Sequence, residues 1–141
     1  MQLVFNPASD ARYAESLTLE NMSAYYQSRG IEWDHQRFLE SWEELDNFEI
    51  CVDEERVGLV RFSYDQGETT YLRDFQLEPQ FQGRGYGSKS ISLIKQNARE
   101  RACSKIILRV FVENPAVQLY QAHGFSKSSE NNGLMEMVCR L

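Results

Sequence analysis

The residues best suited to chemistry in this chain form one glycine-rich run near its centre. The run consists of Gln82, Gly83, Arg84, Gly85, Tyr86, Gly87 and Ser88. Glycines at alternate positions permit a sharp turn and let main-chain N–H groups come close to a ligand. Such N–H groups at the start of a helix bind anions, and the helix dipole strengthens the binding. The run therefore predicts a site for a phosphate or pyrophosphate group.

Three kinds of glycine-rich segment could account for this run. A P-loop requires a lysine directly after its last glycine, whereas Ser88 follows Gly87 here. The dinucleotide-binding fingerprint has the spacing G-x-G-x-x-G behind a first strand, but this run reads G-x-G-x-G and lies behind a predicted hairpin. A tight turn that binds nothing is the third reading, and the run alone leaves it open.

A second pattern lies behind the next predicted strand, where Asn114, Tyr120 and Gly124 fall within residues 110–125. The two patterns together resemble the signature of the GNAT superfamily, the acetyl-CoA-dependent N-acetyltransferases. The glycine-rich run matches its Q/R-x-x-G-x-G/A loop, and the two patterns stand in the superfamily's order and separation. The resemblance covers nearly the whole chain, with Val117 as a modest departure where alanine is common.

The resemblance implies acetyl-CoA as the co-substrate and assigns residues to it. Main-chain groups of Phe75, Gln76 and Leu77 would pair with the pantetheine arm and the acetyl group. The glycine-rich run would hold the pyrophosphate through its N–H groups, and Asn114 would reach the pantetheine region. No metal is predicted, because the two histidines and three cysteines do not show the spacing of metal ligands.

The resemblance also implies the reaction, in which an amine attacks the acetyl group directly. Tyr120 falls where many relatives place a tyrosine near the thioester sulfur, which implies a general acid; a packing tyrosine is the alternative. The N–H near Phe75 is the candidate donor to the developing oxyanion. The general base is left open between Glu32, His35 and a chain of waters. Asp74 is expected to face the core or the neighbouring layer, because strand side chains alternate.

The acceptor pocket of this superfamily usually lies among the first two helices, their loop and the middle strands. The residues that would line it here are Tyr25, Tyr26, Trp33, Tyr71 and Arg73. A small-molecule amine and a peptide amine are both open as acceptors, and so is a longer acyl group. The alternative function is an inactive acyl-CoA-binding sensor or interaction module, because the strand glutamate of some relatives is absent.

Hydrophobic periodicity and turn signals predict the elements that position these residues. In chain order they are strand 2–5, helix 11–27, helix 35–45, strands 48–52, 58–64 and 70–77, helix 88–101, strand 105–112, helix 115–122 and a hairpin within 125–141. Asp10 and Asp34 are the expected N-caps, and Leu19, Met22 and Tyr26 share one helix face. The order β-α-α-β-β-β-α-β-α-β-β predicts a mixed α/β fold, with a central sheet of six to seven strands flanked by helices.

Length and composition bound the class of protein. The chain of 141 residues suits one domain over residues 1–141, and its 42% apolar content is ordinary for a globular protein. No apolar run approaches the ~20 residues that span a membrane, and the N-terminus does not read as a secretory signal. The odd number of cysteines favours reduced thiols in a cytoplasmic protein.

The charge of the chain and one apolar stripe indicate which partners it could bind. The net charge of −6 argues against nucleic acid as a partner. Eight acidic residues and no basic one lie in 40–55, whereas seven basic residues lie in 84–109 around the predicted phosphate site. The stripe of Met135, Met137 and Cys139 is open between plain core and the interface of a homodimer.

Overall fold

The computed structural model describes residues 2–141, which form seven strands, four α-helices and one 3-10 turn. These elements are β1 (Leu3–Pro7), α1 (Ala11–Ser28), α2 (His35–Glu44), β2 (Asp46–Val52), β3 (Glu55–Tyr64), β4 (Thr69–Leu77), the 3-10 turn (Pro79–Phe81), α3 (Tyr86–Glu100), β5 (Lys105–Phe111), α4 (Ala116–Ala122), β6 (Ser126–Asn131) and β7 (Leu134–Arg140). The predicted order of strands and helices is confirmed.

The seven strands form one mixed sheet in the order β1-β2-β3-β4-β5-β7-β6. The β4–β5 pair is parallel, with register from Thr69–Lys105 to Leu72–Leu108, while β5–β7 and β6–β7 are antiparallel. The mixed α/β fold class is therefore confirmed, at the upper end of the predicted strand number. No helix within residues 2–141 combines the length and the apolar character that crossing a membrane takes.

The chain divides into two compact units. The first unit comprises the chain through Arg61 together with Asp74–Gln82, and the second comprises Phe62–Arg73 and Gly83–Leu141. The middle strands β3 and β4 each contribute residues to both units. The single domain expected from chain length stays a prediction.

In the first unit, both helices begin where the sequence predicts. The Asp10 carboxylate accepts a hydrogen bond from the Tyr13 N–H at 3.0 Å, and the Asp34 carboxylate accepts one from the Arg37 N–H at 3.0 Å. Each bond satisfies an N–H group that the first helical turn leaves without a partner. The two predicted N-caps are therefore confirmed.

The buried face of α1 differs from the predicted one. Leu19, Met22 and Tyr26 are only half-buried. The buried positions lie on a neighbouring face instead, where Ala14 and Leu17 form one core cluster with Phe38 and Leu59. The fully buried residues of α1 are Ala14, Leu17 and Thr18.

In the second unit, α3 and the C-terminal hairpin follow the sequence closely. Helix α3 buries Ile91, Ile94 and Ala98, which follow one another at steps of three and four residues. The β6–β7 hairpin turns at Asn132 and Gly133, whose φ angles of 54° and 79° are those of the tight hairpin turn that this pair favours. The apolar stripe on β7 is core, because Met135, Met137 and Cys139 are all buried within the chain.

Candidate active site

The glycine-rich run adopts a backbone that only glycine enters easily. Gly83 has φ +74° and Gly85 has φ +86°, both in the left-handed region. A Cβ added to either residue would meet no atom of the described chain within 4 Å. The two glycines therefore satisfy backbone angles that other residues rarely adopt, and they leave the surface open at the start of α3.

The third glycine of the run has a different role. Gly87 has no positive φ, but a Cβ there would lie 2.9 Å from Cδ2 of Leu119 on α4. This distance is shorter than carbon atoms tolerate in a packed interior. Gly87 thus leaves room for the Leu119 side chain of α4 beside the first turn of α3.

Helix α3 presents its N-terminus at this run. Gly85 is the N-cap residue, and the Lys89 N–H donates to the Gly85 carbonyl at 3.2 Å. The N–H groups of the residues between them precede the first helical hydrogen bond and point along the axis. Arg84 and Lys89 are exposed beside them and add positive charge. These groups fit the pyrophosphate of a nucleotide-like ligand.

In the first unit, the main-chain N–H and C=O groups at the end of β4 point alternately toward β3 and away from it. The Glu78 N–H donates to the Val57 carbonyl of β3 at 2.8 Å. Because main-chain groups alternate along a strand, the N–H groups of Phe75 and Leu77 point away from β3. A Cβ added to Gly58 would overlap the Gln76 carbonyl oxygen, so β3 lies very close to β4 at this point.

Tyr120 and Asn114 lie at opposite ends of α4. Tyr120 is 7% exposed, and its ring packs edge-on against Phe125 with centroids 5.7 Å apart. The Asn114 side-chain oxygen accepts a hydrogen bond from the Ala116 N–H at 2.9 Å. The start of α4 near Asn114 and Pro115 is thereby confirmed, while the roles of Asn114 and Tyr120 toward a cofactor stay predictions.

The first unit brings two of the predicted acceptor residues together. Tyr26 stacks on Trp33 with ring centroids 5.7 Å apart and an interplanar angle of 28°. Burial raises the pKa of Tyr26 to about 12, and the negative charge of Asp74 adds to the rise. Tyr25 is half-buried on the same helix, and Glu32 is exposed in the loop that follows.

A carboxylate on α1 fixes the loop between α1 and α2. Glu15 accepts a hydrogen bond from Nε1 of Trp33 at 2.7 Å and contacts Nδ1 of His35 at 2.7 Å. Burial raises the pKa of Glu15, but the bonds from Trp33 and His35 outweigh it and leave that pKa below its ordinary value. His35 is exposed, so this pair ties the start of α2 to α1 at the surface.

The other two predicted acceptor residues belong to the second unit. Tyr71 and Arg73 lie two positions apart on β4, so their side chains share one face of the strand. Tyr71 is half-buried and in register with Ile107 of β5. Arg73 is exposed, and its Nη1 lies 3.3 Å from Oγ of Ser63.

A buried ion pair in the first unit was not foreseen. Arg61 is 5% exposed, and its Nη1 lies 3.6 Å from Oδ2 of Asp74. The expectation that Asp74 faces the neighbouring layer is confirmed, because its Oδ2 accepts a hydrogen bond from Thr18 of α1 at 2.9 Å. The available signal was the alternation in β3, where Arg61 occupies the same face as Val57 and Leu59.

The three cysteines are free and buried, and no three His, Cys, Asp or Glu side chains in residues 2–141 gather as metal ligands.

Residues 14–125 match the family model described as "Acetyltransferase (GNAT) family". The mixed sheet and the order of its strands and helices fit that class of protein. The chain belongs to the GNAT family of acetyltransferases.

Similar proteins agree with this assignment. The thialysine N-epsilon-acetyltransferase of Bos taurus is 37% identical over 79 residues, which cover 54% of this chain and 46% of that protein. The matched part is thus less than half of this relative's length. An acetyltransferase from Thermus thermophilus superposes with TM-score 0.78 at 21% identity, covering 100% of this chain and 98% of the other. The PaiA N-acetyltransferase of Thermoplasma acidophilum, solved in complex with coenzyme A, gives TM-score 0.76 at 13% identity over 100% of both chains.

Proposed function

We propose that this protein is an N-acetyltransferase that moves an acetyl group from acetyl-CoA to a primary amine. Acetyl-CoA supplies the activated acetyl thioester, so the protein needs only to hold it, orient the amine and manage protons. Family membership supports the acetyl donor, and the backbone of the glycine-rich run supports the binding mode.

One observation carries the proposal. Gly83 and Gly85 combine left-handed backbone angles with open space at the start of a 15-residue helix. Gly67 has the same kind of backbone angle and the same open space, so what distinguishes Gly83 and Gly85 is their place at the start of α3, where the N–H groups of the first helical turn can bind an anion. Within the proposal, the N–H groups of residues 83–88 bind the pyrophosphate, and Gln82 begins the loop.

The same proposal gives roles to the end of β4 and to α4. The N–H groups of Phe75 and Leu77 point away from β3, and this direction lets them pair with a ligand. The Phe75 N–H is the oxyanion donor. Gln76 acts beside them, and Asn114 contacts the pantetheine region. Tyr120 assists the departing thiolate as a general acid: a thiol with pKa near ~8.5 is already a fair leaving group, so a phenol with pKa near ~10 need only assist.

The acceptor is proposed to be a cationic primary amine, on a small molecule or a peptide. The first unit contains fifteen Asp and Glu residues against five Arg and no Lys, a formal charge of −10. The second unit contains ten Lys and Arg against six Asp and Glu, a formal charge of +4. A field of this sign draws cations to the first unit and anions such as phosphates to the second. The lining residues proposed for the amine are Tyr25, Tyr26, Trp33, Tyr71 and Arg73.

One feature favours a second function, an acyl-CoA-binding sensor without catalysis. The face of β4 that carries a glutamate in some relatives carries Tyr71 and Arg73 here, and Arg73 is exposed. The buried free thiols are compatible with the reducing cytoplasm as the place of either function.

The test incubates the protein with acetyl-CoA and a panel of amines, and it follows both thiol release and acetylated products by mass spectrometry. The panel contains monoamines, diamines, amino acids and short peptides. Thiol release that depends on an amine, with a matching acetylated product, supports the enzyme. Binding of acetyl-CoA without release for any amine would support the sensor.

A further inference from the structure

We propose that Asn21 and Gln76 are positioning residues for acetyl-CoA, because a series of polar contacts that starts at the buried Arg61–Asp74 pair sets the Leu77 carbonyl at the end of β4. This inference rests on the proposed function. It adds one residue of α1, Asn21, that the sequence patterns do not single out. All residues of this polar series belong to the first unit.

The polar series begins at an arginine that is anchored on several sides. Nε of Arg61 donates to Oδ1 of Asn47 at 2.9 Å, and Nη2 donates to Oγ of Ser41 at 2.8 Å. Its guanidinium also lies 4.8 Å from the ring centroid of Phe38. Removing a guanidinium and a carboxylate from water costs several kcal/mol each, so such a pair is weak evidence for stability. What it provides here is a fixed position for the Asp74 carboxylate.

The Asp74 carboxylate determines which way the next amide points. Its Oδ1 accepts a hydrogen bond from Nε2 of Gln76 at 2.9 Å. An ionised carboxylate only accepts, so the Gln76 amide must present nitrogen to Asp74 and oxygen to its other neighbour. That oxygen accepts from Nδ2 of Asn21 at 3.1 Å. The orientation of Asn21 follows from the same rule.

Asn21 then fixes the main chain of β4. Its Nδ2 donates a second hydrogen bond to the Leu77 carbonyl at 2.9 Å, and Nε2 of Gln82 donates to the same carbonyl at 3.0 Å. Both donors hold one peptide group, two residues beyond Phe75. The opposite side of the strand is held by β3, through the Glu78–Val57 bond and the close contact at Gly58. The segment 75–77 is therefore held in place before any ligand arrives.

Preorganisation of this kind raises affinity, because a segment that is already ordered loses little freedom on binding. If the polar series is broken, the Leu77 carbonyl loses the Asn21 donor that ties it to α1, so the end of β4 beside Phe75 and Leu77 is held less firmly. We therefore expect affinity for coenzyme A to fall more than the stability of the protein does.

The test compares Asn21→Asp and Asn21→Ala with the wild type in calorimetric titrations with coenzyme A. Asn21→Asp keeps the shape of the side chain but presents oxygen to the Gln76 oxygen and the Leu77 carbonyl. Tyr13→Phe is the matched control: it removes a 2.7 Å hydrogen bond between α1 and Glu78, but leaves the Leu77 carbonyl untouched. Thermal unfolding of all four proteins is measured in parallel.

We expect Kd for coenzyme A to rise about tenfold in both Asn21 variants, which is the loss of roughly one hydrogen bond's worth of free energy. Tyr13→Phe should keep the wild-type Kd, although its unfolding midpoint should fall about as far as the midpoints of the Asn21 variants. Wild-type affinity in both Asn21 variants, or an equal loss in Tyr13→Phe, would overturn the positioning role and leave the proposed function intact. Failure of the wild type itself to bind coenzyme A would overturn both.

Discussion

At the scale of single residues, the three glycines of the loop occupy their positions for different physical reasons. Gly83 and Gly85 have left-handed backbone angles that favour glycine, whereas Gly87 leaves room for the side chain of Leu119. A spacing of alternate glycines cannot distinguish these reasons. The structure separates them, and this separation makes the loop testable with matched substitutions.

Gly85→Val is expected to abolish measurable coenzyme A binding. The side chain would fill the open space at the loop, and the left-handed angle would cost about 1–2 kcal/mol of stability. Gly67→Val is the matched control, because Gly67 has φ +85° against +86° for Gly85 and also faces open space. Calorimetry should show loss of binding in the first variant only; equal binding by both would contradict the proposed grip.

Tyr120→Phe tests the proposed general acid. The substitution keeps the ring that packs against Phe125 and removes only the hydroxyl. We expect turnover to fall by roughly 10–10³-fold, with Kd for coenzyme A unchanged. Steady-state kinetics with the best amine of the panel measures the first quantity and calorimetry the second. Full turnover in the variant would make Tyr120 a packing residue.

At the scale of elements, the sequence predicted those features that depend on residues close together in the chain. The caps at Asp10 and Asp34 and the turn at Asn132 depend on neighbours in sequence, and the structure confirms each. The buried face of α1 was missed, because burial there depends on Phe38 and Leu59, which lie far from α1 in sequence. Arg61 was missed for the same reason: its acceptors lie on β2, α2 and β4, far apart in sequence.

The link between α1 and α2 predicts a pH dependence of stability. The pKa of Glu15 is lowered in the folded protein, so the unfolded chain binds more protons as the pH falls. The contribution of Glu15 is therefore present above its ordinary pKa of 4.5 and is lost as the pH falls through the folded value. Unfolding midpoints between pH 3 and pH 7 should fall less steeply in Glu15→Gln than in the wild type. Parallel curves would show that Glu15 does not contribute.

At the scale of the whole molecule, charge is distributed unevenly between the two units, and the net charge does not show this. A net charge of −6 conceals one unit at −10 and another at +4. The sequence showed the acidic and basic segments, but the assignment of each to a compact unit needed the structure. This distribution supports a cationic acceptor together with a phosphate-bearing donor.

The charge of the first unit predicts a salt effect that depends on the acceptor. If the acceptor is a cationic amine, KM for a linear diamine should rise several-fold between 50 and 500 mM salt, because added ions screen the attraction. A monoamine of the same chain length is the control and should respond less. The same salt response for both amines would show that the field of this unit does not recruit the acceptor.

A crystal structure of this protein with coenzyme A would show directly where the pyrophosphate binds. We expect the pyrophosphate oxygens to lie within hydrogen-bond distance of main-chain N–H groups in the segment 83–88, at the start of α3. Density for the pyrophosphate at any other place, or an absence of bound coenzyme A at saturating concentration, would contradict this expectation.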